Sequence, residues 1–494
     1  MVTYTPRLSA RAHQTEALQK MQGRPTAFAL LMEMGTGKSK VILDEWGQRV
    51  DAGELSQLLI IAPAGSYANW FLDRGPSEPS EATKQLDPEL RARMSLYHWS
   101  SAGGAGYAEG LRDFMQAADR PRMFVMNIEA LSSVDRARAA CEAFIASGGT
   151  GRTLLCVDES TKIKTPDTER TRYVNKLGRL AAVRRIATGL VAPRSPMDLY
   201  CQFYFLDWNI IGCKSFTQFR ALYAITHKQL FVGRRYPTEI IDGYRNLDQL
   251  AALIAPWSFR RLKEECLDLP PKVYQTRDIE LTDAQRKAYK ELRQFATTQL
   301  SSGEHVTALL AISQILRLHQ LVCGYLVDEQ GGLHAVAERR TDALIELLEE
   351  HDGKAIIWVT YEYSLTHIMQ RLQKEFGPGC AAAFWGGNRA QRLDEETRWK
   401  TDPQCRFIVA TQGAGGLGNN WVQASLVVYY ANSYDLELRS QSEDRAHRDG
   451  LMHRVTYVDL VARGTVDEKI LQALRDKIDL ATAITNENYK TWVI

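Results

Sequence analysis

The chain has 494 residues, of which 45% are hydrophobic and 24% charged, the values of an ordinary globular protein. This composition excludes a largely disordered chain. At roughly 100 to 200 residues per domain, the length predicts two to four domains. The 61 basic and 59 acidic residues give a formal charge of +2, so that no global basic field indicates a polyanionic partner. Any nucleic-acid surface must therefore be a local patch.

Cysteine spacing and hydropathy limit the cellular setting. None of the eight cysteines forms a C-x-x-C pair, which favours a reducing compartment over a zinc or redox site. The first residues lack the apolar stretch of a secretory signal, and no run approaches the roughly 18 apolar residues of a membrane span. We therefore expect a soluble cytoplasmic protein that is a monomer when free and has no membrane partner.

Short apolar runs rich in β-forming residues alternate with helix-length amphipathic segments along most of the chain. The first series comprises Ala27–Leu31, Leu58–Ala62, Met123–Met126, Leu154–Val157 and Arg185–Thr188. The second series comprises Ala355–Val359, Ala382–Trp385, Phe407–Ala410, Leu426–Tyr429 and Val455–Val458. Strands that alternate with helices form parallel sheets covered on both faces. The fold class predicted is therefore α/β, with two parallel-sheet domains in tandem.

Boundaries follow from the segment between the two series. We place an N-terminal domain at 1–258, a linker at 259–275, a C-terminal domain at 276–475 and a tail at 476–494. Leu269-Pro-Pro-Lys272 is a stiff extended break within the linker, and helical patterns at about 282–300 and 304–321 predict a helical insertion. The segments 231–236 and 239–243 predict a hairpin that protrudes from the first domain.

A glycine-rich segment directly follows the first predicted strand and opens a predicted helix. It reads Met34-Gly-Thr-Gly-Lys-Ser39, in a position where backbone N–H groups and the helix dipole bind phosphates. Lys38 supplies a cation for the β- and γ-phosphates, and the Ser39 hydroxyl is suited to Mg²⁺. The full spacing of such loops has a further glycine where this chain has Met32. The alternative is a glycine turn unrelated to phosphate.

Two acids, Asp158 and Glu159, end another predicted strand, at the edge of a parallel sheet where ligands bind. Asp158 would hold Mg²⁺, and Glu159 would orient and deprotonate the attacking water. The alternative role for both acids is to cap the next helix.

Near the end of the chain, Gln441, Arg445 and Arg448 are spaced four and three residues apart, which predicts that they share one face of a helix. Guanidinium groups stabilise the charge of a separating γ-phosphate. The alternative is a solvated basic helix face.

In order and spacing these segments resemble the motifs of superfamily II helicases, and specifically the SWI/SNF-type branch of double-stranded DNA translocases. His13-Gln14 resembles the adenine-reading glutamine, residues 32–39 motif I, and 60–63 with Trp70 motif Ia. Asp158–Thr161 is similar to motif II and Thr188-Gly189 to motif III, after which Asp198-Leu199 fits a helical pair of the family. The most branch-specific string is Arg260-Arg-Leu-Lys263 followed by 269–272. The later motifs are resembled by the segments 385–387, 414–419 and 441–450.

The resemblance implies two tandem RecA-like P-loop domains that use ATP and Mg²⁺ to move along nucleic acid, here duplex DNA. The nucleotide would be bound by Gln14, Met34, Gly35, Thr36, Gly37, Lys38, Ser39, Gly416 and Gly418. Catalysis would use Lys38, Asp158, Glu159, Gln441, Arg445 and Arg448, and Ser39 with Asp158 would hold the metal. The small size resembles compact bacterial and bacteriophage forms, which would place the protein in the host cytoplasm if a phage encodes it.

Three departures from the family pattern leave other functions open. Leu190 and Val191 stand where motif III usually has Thr and Pro, Ser160-Thr161 stands where strand-separating relatives often have Ala and His or Asp, and Leu451 replaces a Gln. None removes a phosphate or metal ligand. One alternative is a helicase that separates strands of DNA or RNA, and another is a nucleotide-gated DNA clamp or scaffold with little turnover.

Contacts to a DNA strand are predicted at short polar or basic side chains near the motifs. The candidates are Ser66, Asn69, Arg194, Arg234, Arg235, Thr360, Arg389 and Thr411. Each could equally be a helix cap or a solvated loop residue.

Overall fold

The computed structural model describes residues 4–74, 78–117, 119–149, 151–230, 236–301, 308–328, 330–415 and 420–485. These residues form two compact units. The first consists chiefly of the chain up to Ala224 together with Tyr244–Asp268, and the second consists chiefly of Ile225–Gly243 and Leu269–Thr482.

A seven-stranded parallel sheet forms the centre of the first unit. Its strands are β1 Ala27–Met32, β2 Gln57–Ala62, β3 Ser95–His98, β4 Arg122–Asn127, β5 Thr153–Asp158, β6 Val183–Ala187 and, after a hairpin of β7 Ala224–Gln229 and β8 Thr238–Tyr244, β9 Ser258–Arg261. Their order across the sheet is β3-β4-β2-β5-β6-β1-β9, and all adjacent strands pair in parallel. The five strands predicted in this domain are confirmed, whereas the pattern did not predict β3 and β9.

Helices cover both faces of this sheet and give it two separate hydrophobic cores. They are α1 Ala12–Gln22, α2 Lys38–Asp51, α3 Glu81–Gln85, α4 Pro88–Arg93, α5 Ala105–Gln116, α6 Ala130–Ser133, α7 Asp135–Ser147, α8 Glu169–Leu180, α9 Leu199–Ile211, α10 Phe216–Tyr223 and α11 Leu247–Ile254. All six residues of β1 and of β2 are buried. Burial on both faces explains why these strands are continuous apolar runs without alternation.

The hairpin β7–β8 differs from its predicted position. Its first strand precedes the predicted segment 231–236, because the β-branched pair Ile225 and Thr226 extends directly from the end of α10. Arg234 and Arg235 lie outside the described residues.

A second parallel sheet, of six strands, forms the centre of the second unit in the order β10-β17-β16-β13-β15-β14. Its strands are β10 Lys272–Ile279 and, after a small pair of β11 Tyr325–Val327 and β12 Leu333–Ala335, β13 Lys354–Val359, β14 Ala381–Phe384, β15 Phe407–Thr411, β16 Ala424–Tyr429 and β17 Val455–Ala462. The five predicted strands of this series are confirmed, and β10 is an addition. Two tandem α/β domains, as the sequence predicts, are thus present.

The helices of the second unit are α12 Asp283–Ser301, α13 Ala308–Val322, α14 Arg340–Glu349, α15 Glu362–Phe376, α16 Arg392–Thr401, α17 Gln412–Gly415, α18 Leu436–Glu443 and α19 Val466–Thr485. The predicted helical insertion corresponds to α12 and α13. Residues 476–485 of the predicted tail continue α19, while the rest of the tail lies outside the described residues.

Both ends of the predicted linker 259–275 belong to the two sheets. Residues up to Arg261 form β9 beside β1, and residues from Lys272 form β10 beside β17. The connection between the strands is therefore 262–271, which includes the Pro270-Pro271 pair. Among the helices that the structure describes, none is long and apolar enough to cross a membrane.

Candidate nucleotide-binding and hydrolysis site

The glycine-rich segment forms a tight turn between β1, which ends at Met32, and α2, which begins at Lys38. Gly35 and Gly37 have φ angles of 83° and 89°, in the left-handed region that glycine adopts without steric cost. A Cβ atom on Gly37 would lie 2.1 Å from the Gln14 side-chain nitrogen. The turn thus has the backbone geometry of a phosphate-binding loop at a helix N-terminus.

Two side chains from α1 contact the backbone of this turn. The Gln14 amide donates to the Thr36 carbonyl at 3.1 Å, and the His13 ring nitrogen Nε2 lies 2.8 Å from the same oxygen. The Gln14 carbonyl oxygen accepts from the Arg11 backbone N–H at 2.9 Å. Both side chains are buried, so Gln14, which the resemblance predicts to read the adenine, lies directly against the loop together with His13.

The Lys38 ammonium group lies over the loop that precedes it. Its Nζ donates to the Met32 carbonyl at 2.9 Å and to the Glu33 carbonyl at 3.3 Å. Ser39 follows in the first turn of α2 and is half-buried. The cation and the hydroxyl that the motif predicts are therefore both present at the start of the helix.

Asp158 is the last residue of β5, two strands away from β1 in the sheet. Its carboxylate accepts from the Trp70 indole N–H at 3.1 Å and from the Glu159 backbone N–H at 3.1 Å. Desolvation raises the pKa of this carboxyl, whereas the positive charge of Lys38 and the Trp70 hydrogen bond lower it. The charge of Lys38 thus acts on Asp158, and both residues lie at the carboxyl ends of strands of the same parallel sheet.

Glu159 has a φ of 49° and a ψ of 59°, a left-handed conformation that non-glycine residues seldom adopt. Glu159 is buried, with 7% of its surface exposed. Such strained backbone is concentrated at functional sites. Neither acid caps an α-helix in the structure, because a 3-10 turn, Ser160–Ile163, follows and its N-cap residue Glu159 makes no side-chain cap bond. The helix-capping alternative is thus not supported.

The oxygen donors at this site suit Mg²⁺. Within the described residues no group of three or more His, Cys, Asp or Glu side chains could enclose a metal by itself. Mg²⁺ keeps several waters and typically takes one or two carboxylates together with substrate phosphates. One carboxylate, Asp158, and one hydroxyl, Ser39, next to a phosphate-binding turn match that requirement.

The segment 188–192, which corresponds to motif III, packs directly on the glycine-rich loop. A Cβ atom on Gly189 would lie 3.1 Å from the Met34 backbone nitrogen, so that a side chain here would require the loop to shift by a few tenths of an ångström. Arg260 from β9 donates from one nitrogen to the Leu31 carbonyl at 2.8 Å and to the Gly189 carbonyl at 3.0 Å. Arg260 therefore joins β1 to motif III.

The rest of the Arg260–Lys263 string also supports the loop. The Lys263 backbone N–H donates to the Glu33 carboxylate at 2.6 Å, and Arg261 forms an ion pair with Glu16 of α1 at 2.5 Å. The sequence identified this string as a family signature but did not predict contacts to the nucleotide loop. The contacts join residues about 230 positions apart, so no local pattern could reveal them.

In the second unit, the structure corrects the prediction that Gln441, Arg445 and Arg448 share one helix face. The helix α18 ends at Glu443, so that Gln441 is helical and both arginines lie in the turns that follow. The backbone tightens there, because the Arg445 N–H bonds the Ser442 carbonyl three residues back. The Arg445 carbonyl instead accepts from the Trp421 N–H at 3.0 Å.

A buried ionic network fixes the position of α18. Arg439 bonds Glu443 at 2.8 Å and Asp459 of β17 at 2.5 Å, and its guanidinium carbon lies 3.5 Å from the centre of the Tyr429 ring. Glu443 also accepts from Lys272 of β10 at 3.1 Å. These charges on Arg439, Lys272 and neighbouring groups hold the pKa of Glu443 below its usual value despite desolvation. The sequence did not single out this network, whose members are far apart in the chain.

Of the remaining predicted nucleotide-site residues, some are buried in the second unit and others lie outside the described residues. Gln441 is buried and donates weakly to Glu437 at 3.4 Å, and Gly416 and Gly418 lie outside the described residues. Gln412, next to Thr411, is also buried. Its amide nitrogen lies 3.5 Å from the Ser442 hydroxyl, inside the second unit.

Among the candidate DNA contacts, two have side chains engaged locally. Thr360 donates to the Ala431 carbonyl at 3.0 Å and Ser66 to the Pro63 carbonyl at 3.3 Å. Arg194 and Arg389 are exposed, whereas Asn69 and Thr411 are half-buried.

The sheets, the glycine-rich turn and the acids at the sheet edge define a P-loop nucleotide-binding protein with a second α/β domain. Residues 13–324 match the SNF2-related domain and residues 339–450 match the helicase conserved C-terminal domain. The chain belongs to the SNF2-related family. The resemblance inferred from the motifs is thereby confirmed.

Curated relatives are much longer than this chain. TATA-binding protein-associated factor mot1 of Aspergillus fumigatus is 26% identical over 377 residues, which cover 67% of this chain and 20% of the relative. "Putative ATP-dependent helicase/translocase YwqA" of Bacillus subtilis is 27% identical over 360 residues, which cover 68% and 36%. The solved SWI2/SNF2 ATPase core of Sulfolobus solfataricus in complex with dsDNA is 20% identical, with a TM-score of 0.42 and coverage of 99% of this chain and 97% of that one.

Proposed function

We propose that this protein hydrolyses ATP with Mg²⁺ and uses the energy to translocate along double-stranded DNA. The observation that carries the proposal is the electrostatic effect of Lys38 on Asp158, which Glu159 directly follows, at the edge of the first sheet in a chain of the SNF2-related family. The helicase C-terminal domain in the second unit supplies the second part that a motor of this family requires.

Each residue of the first unit has a defined task in this proposal. Gln14 holds the loop and contacts the adenine, and Lys38 neutralises the β- and γ-phosphates. Ser39 and Asp158 hold Mg²⁺, which neutralises charge on the phosphate oxygens. Glu159 orients the attacking water and accepts its proton. Glu159 directly follows Asp158 in the chain and has a left-handed backbone conformation.

Arg445 and Arg448 of the second unit are proposed to stabilise the charge that develops on the departing γ-phosphate. Support comes from their positions in the motif that the family uses for this purpose. Both arginines lie in the turns that follow α18 and therefore do not share its helix face. We expect Arg445→Ala to lower the ATPase turnover number by on the order of 10³-fold.

The first experiment measures steady-state ATP hydrolysis with and without duplex DNA. We expect stimulation by duplex DNA, and a loss of at least about 100-fold in Lys38→Ala and Glu159→Gln. Matched controls are Lys20→Ala and Glu54→Gln, which change side chains that are 53% and 60% exposed. DNA-stimulated hydrolysis in Lys38→Ala at the rate of the parent protein would refute the proposal.

A second experiment separates the proposed motor from its two rivals. A duplex translocase displaces the third strand of a triplex and leaves a forked duplex intact. A strand-separating helicase opens the fork, and a nucleotide-gated clamp binds DNA but shows little turnover in either assay. Duplex DNA is favoured over single strands by the Arg260–Lys263 string, which resembles the SWI/SNF-type branch.

A further inference from the structure

A buried glutamine bridges the acidic loop and the motif III segment of the first unit. Gln202, in the first turn of α9, is 1% exposed. Its side-chain oxygen accepts from the Ser160 hydroxyl at 2.6 Å, and its amide nitrogen donates to the Val191 carbonyl at 3.0 Å. Ser160 directly follows Glu159, so this one side chain ties the residue after the catalytic acid to the segment 188–192.

In the motif III segment, each backbone carbonyl from residue 189 to residue 191 accepts a side-chain hydrogen bond. The Gly189 carbonyl accepts from Arg260, the Leu190 carbonyl from the Thr188 hydroxyl at 3.0 Å, and the Val191 carbonyl from Gln202. The Thr188 N–H bonds the Leu30 carbonyl of β1 at 3.0 Å. Hydrogen bonds therefore tie the segment to β1, β9 and α9.

The bridge uses one of the positions at which this chain departs from the family pattern, Ser160. A serine hydroxyl at 160 donates the first hydrogen bond, which an alanine at this position could not do. The second bond is accepted by the backbone of Val191 and does not depend on which side chain residue 191 carries. The departures at motifs II and III are thus compatible with a connection between them.

We propose that Gln202 is a positioning residue that couples ATP hydrolysis at Glu159 to movement of the segment 188–192, and hence to translocation. The inference rests on the proposed function. Buried polar groups that are fully hydrogen-bonded are rigid, because breaking either bond leaves an unsatisfied group away from water. A displacement at Ser160 on cleavage of the nucleotide is therefore transmitted through Gln202 to Val191.

The test compares the rate of third-strand displacement with the rate of ATP hydrolysis in the full-length protein. Gln202→Met keeps the length of the side chain but removes all of its hydrogen bonds, including one to the Asp198 carbonyl at 2.9 Å. Ser160→Ala removes only the first. We expect the number of displacement events per ATP to fall at least about fivefold in both variants, with the KM for ATP within about twofold of the parent. The double variant should be no worse than Gln202→Met, because both changes break the same connection.

Gln57 provides a matched control at the opposite end of the strands. This buried glutamine, the first residue of β2, accepts from the Thr153 hydroxyl at 2.6 Å and donates to the Phe144 carbonyl at 2.5 Å. Gln57→Met removes a comparable buried bridge and should lower thermal stability without changing displacement per ATP.

Unchanged displacement per ATP in Gln202→Met, or an equal fall in Gln57→Met, would overturn the inference. If Gln202→Met does not fold, the smaller change Ser160→Ala decides in the same way. Failure of the proposed function looks different, because the parent protein would then show no DNA-stimulated ATPase activity or no displacement at all.

Discussion

At the scale of single residues, Gly37 shows how backbone and side-chain constraints coincide. Its φ of 89° disfavours any side chain, and Gln14 occupies the space that a Cβ atom would need. We predict that Gly37→Ala raises the KM for ATP at least about tenfold, because the loop must shift to relieve both constraints. Steady-state ATPase kinetics measure this directly.

Gly53 is the control for Gly37. It also has a positive φ, 73°, but no heavy atom lies within 4 Å of the Cβ position. Gly53→Ala should therefore lower stability by about 1 kcal/mol through backbone strain alone, with an unchanged KM. Equal KM values in the two variants would show that contact with Gln14 does not matter.

His319 of α13 is a buried residue that makes the second unit sensitive to pH. Burial lowers its pKa to about 4, against an attraction by Asp467 that raises it. The Nδ1 atom lies 2.8 Å from the Tyr361 hydroxyl. Below the ordinary histidine pKa of about 6.5 the unfolded chain binds a proton that the folded protein does not, so stability falls as the pH falls.

We predict a loss of about 3 kcal/mol in the free energy of unfolding between pH 6.5 and pH 4 from His319, at about 1.4 kcal/mol per pH unit. Urea unfolding of the parent and of His319→Gln over this range isolates the contribution, since glutamine does not titrate. Parallel pH curves for the two proteins would contradict the prediction.

At the scale of elements, one buried ion pair joins two helices to β17 and to the residue that follows β16 in the second unit. Arg340, the first residue of α14, pairs with Asp467 at the start of α19. It also donates to the carbonyls of Tyr430 and, at 3.2 Å, Leu460 of β17. Arg340 has no exposed surface, and the charge of Asp467 raises its pKa against the effect of burial.

We predict that Arg340→Met lowers the free energy of unfolding by about 3 to 5 kcal/mol, because it leaves the Asp467 charge and two carbonyls unpaired. Arg463, whose side chain is 61% exposed, pairs with Asp278 and Glu468 and serves as the control. Arg463→Met should have no measurable effect, since exposed ion pairs contribute little. Urea unfolding of the two variants would contradict the prediction if their midpoints agreed.

At the scale of the whole molecule, the net charge of +2 confines the proposed DNA binding to local contacts. The exposed Arg194 and Arg389 are the predicted phosphate contacts with free access to solvent. We predict that replacing either with alanine weakens duplex binding uniformly across sequences and reduces the slope of log K against log salt by about 1. Fluorescence anisotropy at several salt concentrations measures both effects.

Arg120 is the control for the salt experiment. Its side chain is 51% exposed and pairs with the adjacent Asp119. Arg120→Ala should leave the slope unchanged, because no motif places it near DNA. A slope that falls equally in all three variants would indicate a diffuse effect of net charge.

The sequence predicted the sheets because parallel strands with helices on both faces must be continuously apolar, as β1 and β2 are. Strands β9 and β10 were not predicted, because arginine, lysine and glutamine interrupt their apolar pattern. Both are edge strands, in which polar residues are expected. The end of α18 also differs from the prediction. The spacing of Gln441, Arg445 and Arg448 fits one helix face, but the helix ends at Glu443.

What the sequence determined by itself is the chemistry of the nucleotide loop and of the acids, since Lys38, Ser39, Asp158 and Glu159 lie in short motifs whose spacing reflects local backbone geometry. Only the tertiary structure decided what supports them. Arg260 reaches Gly189 across 71 residues, and Gln202 reaches Ser160 across 42. Such contacts depend on which strands and helices become neighbours, and this is set by the packing of the whole sheet rather than by any local pattern.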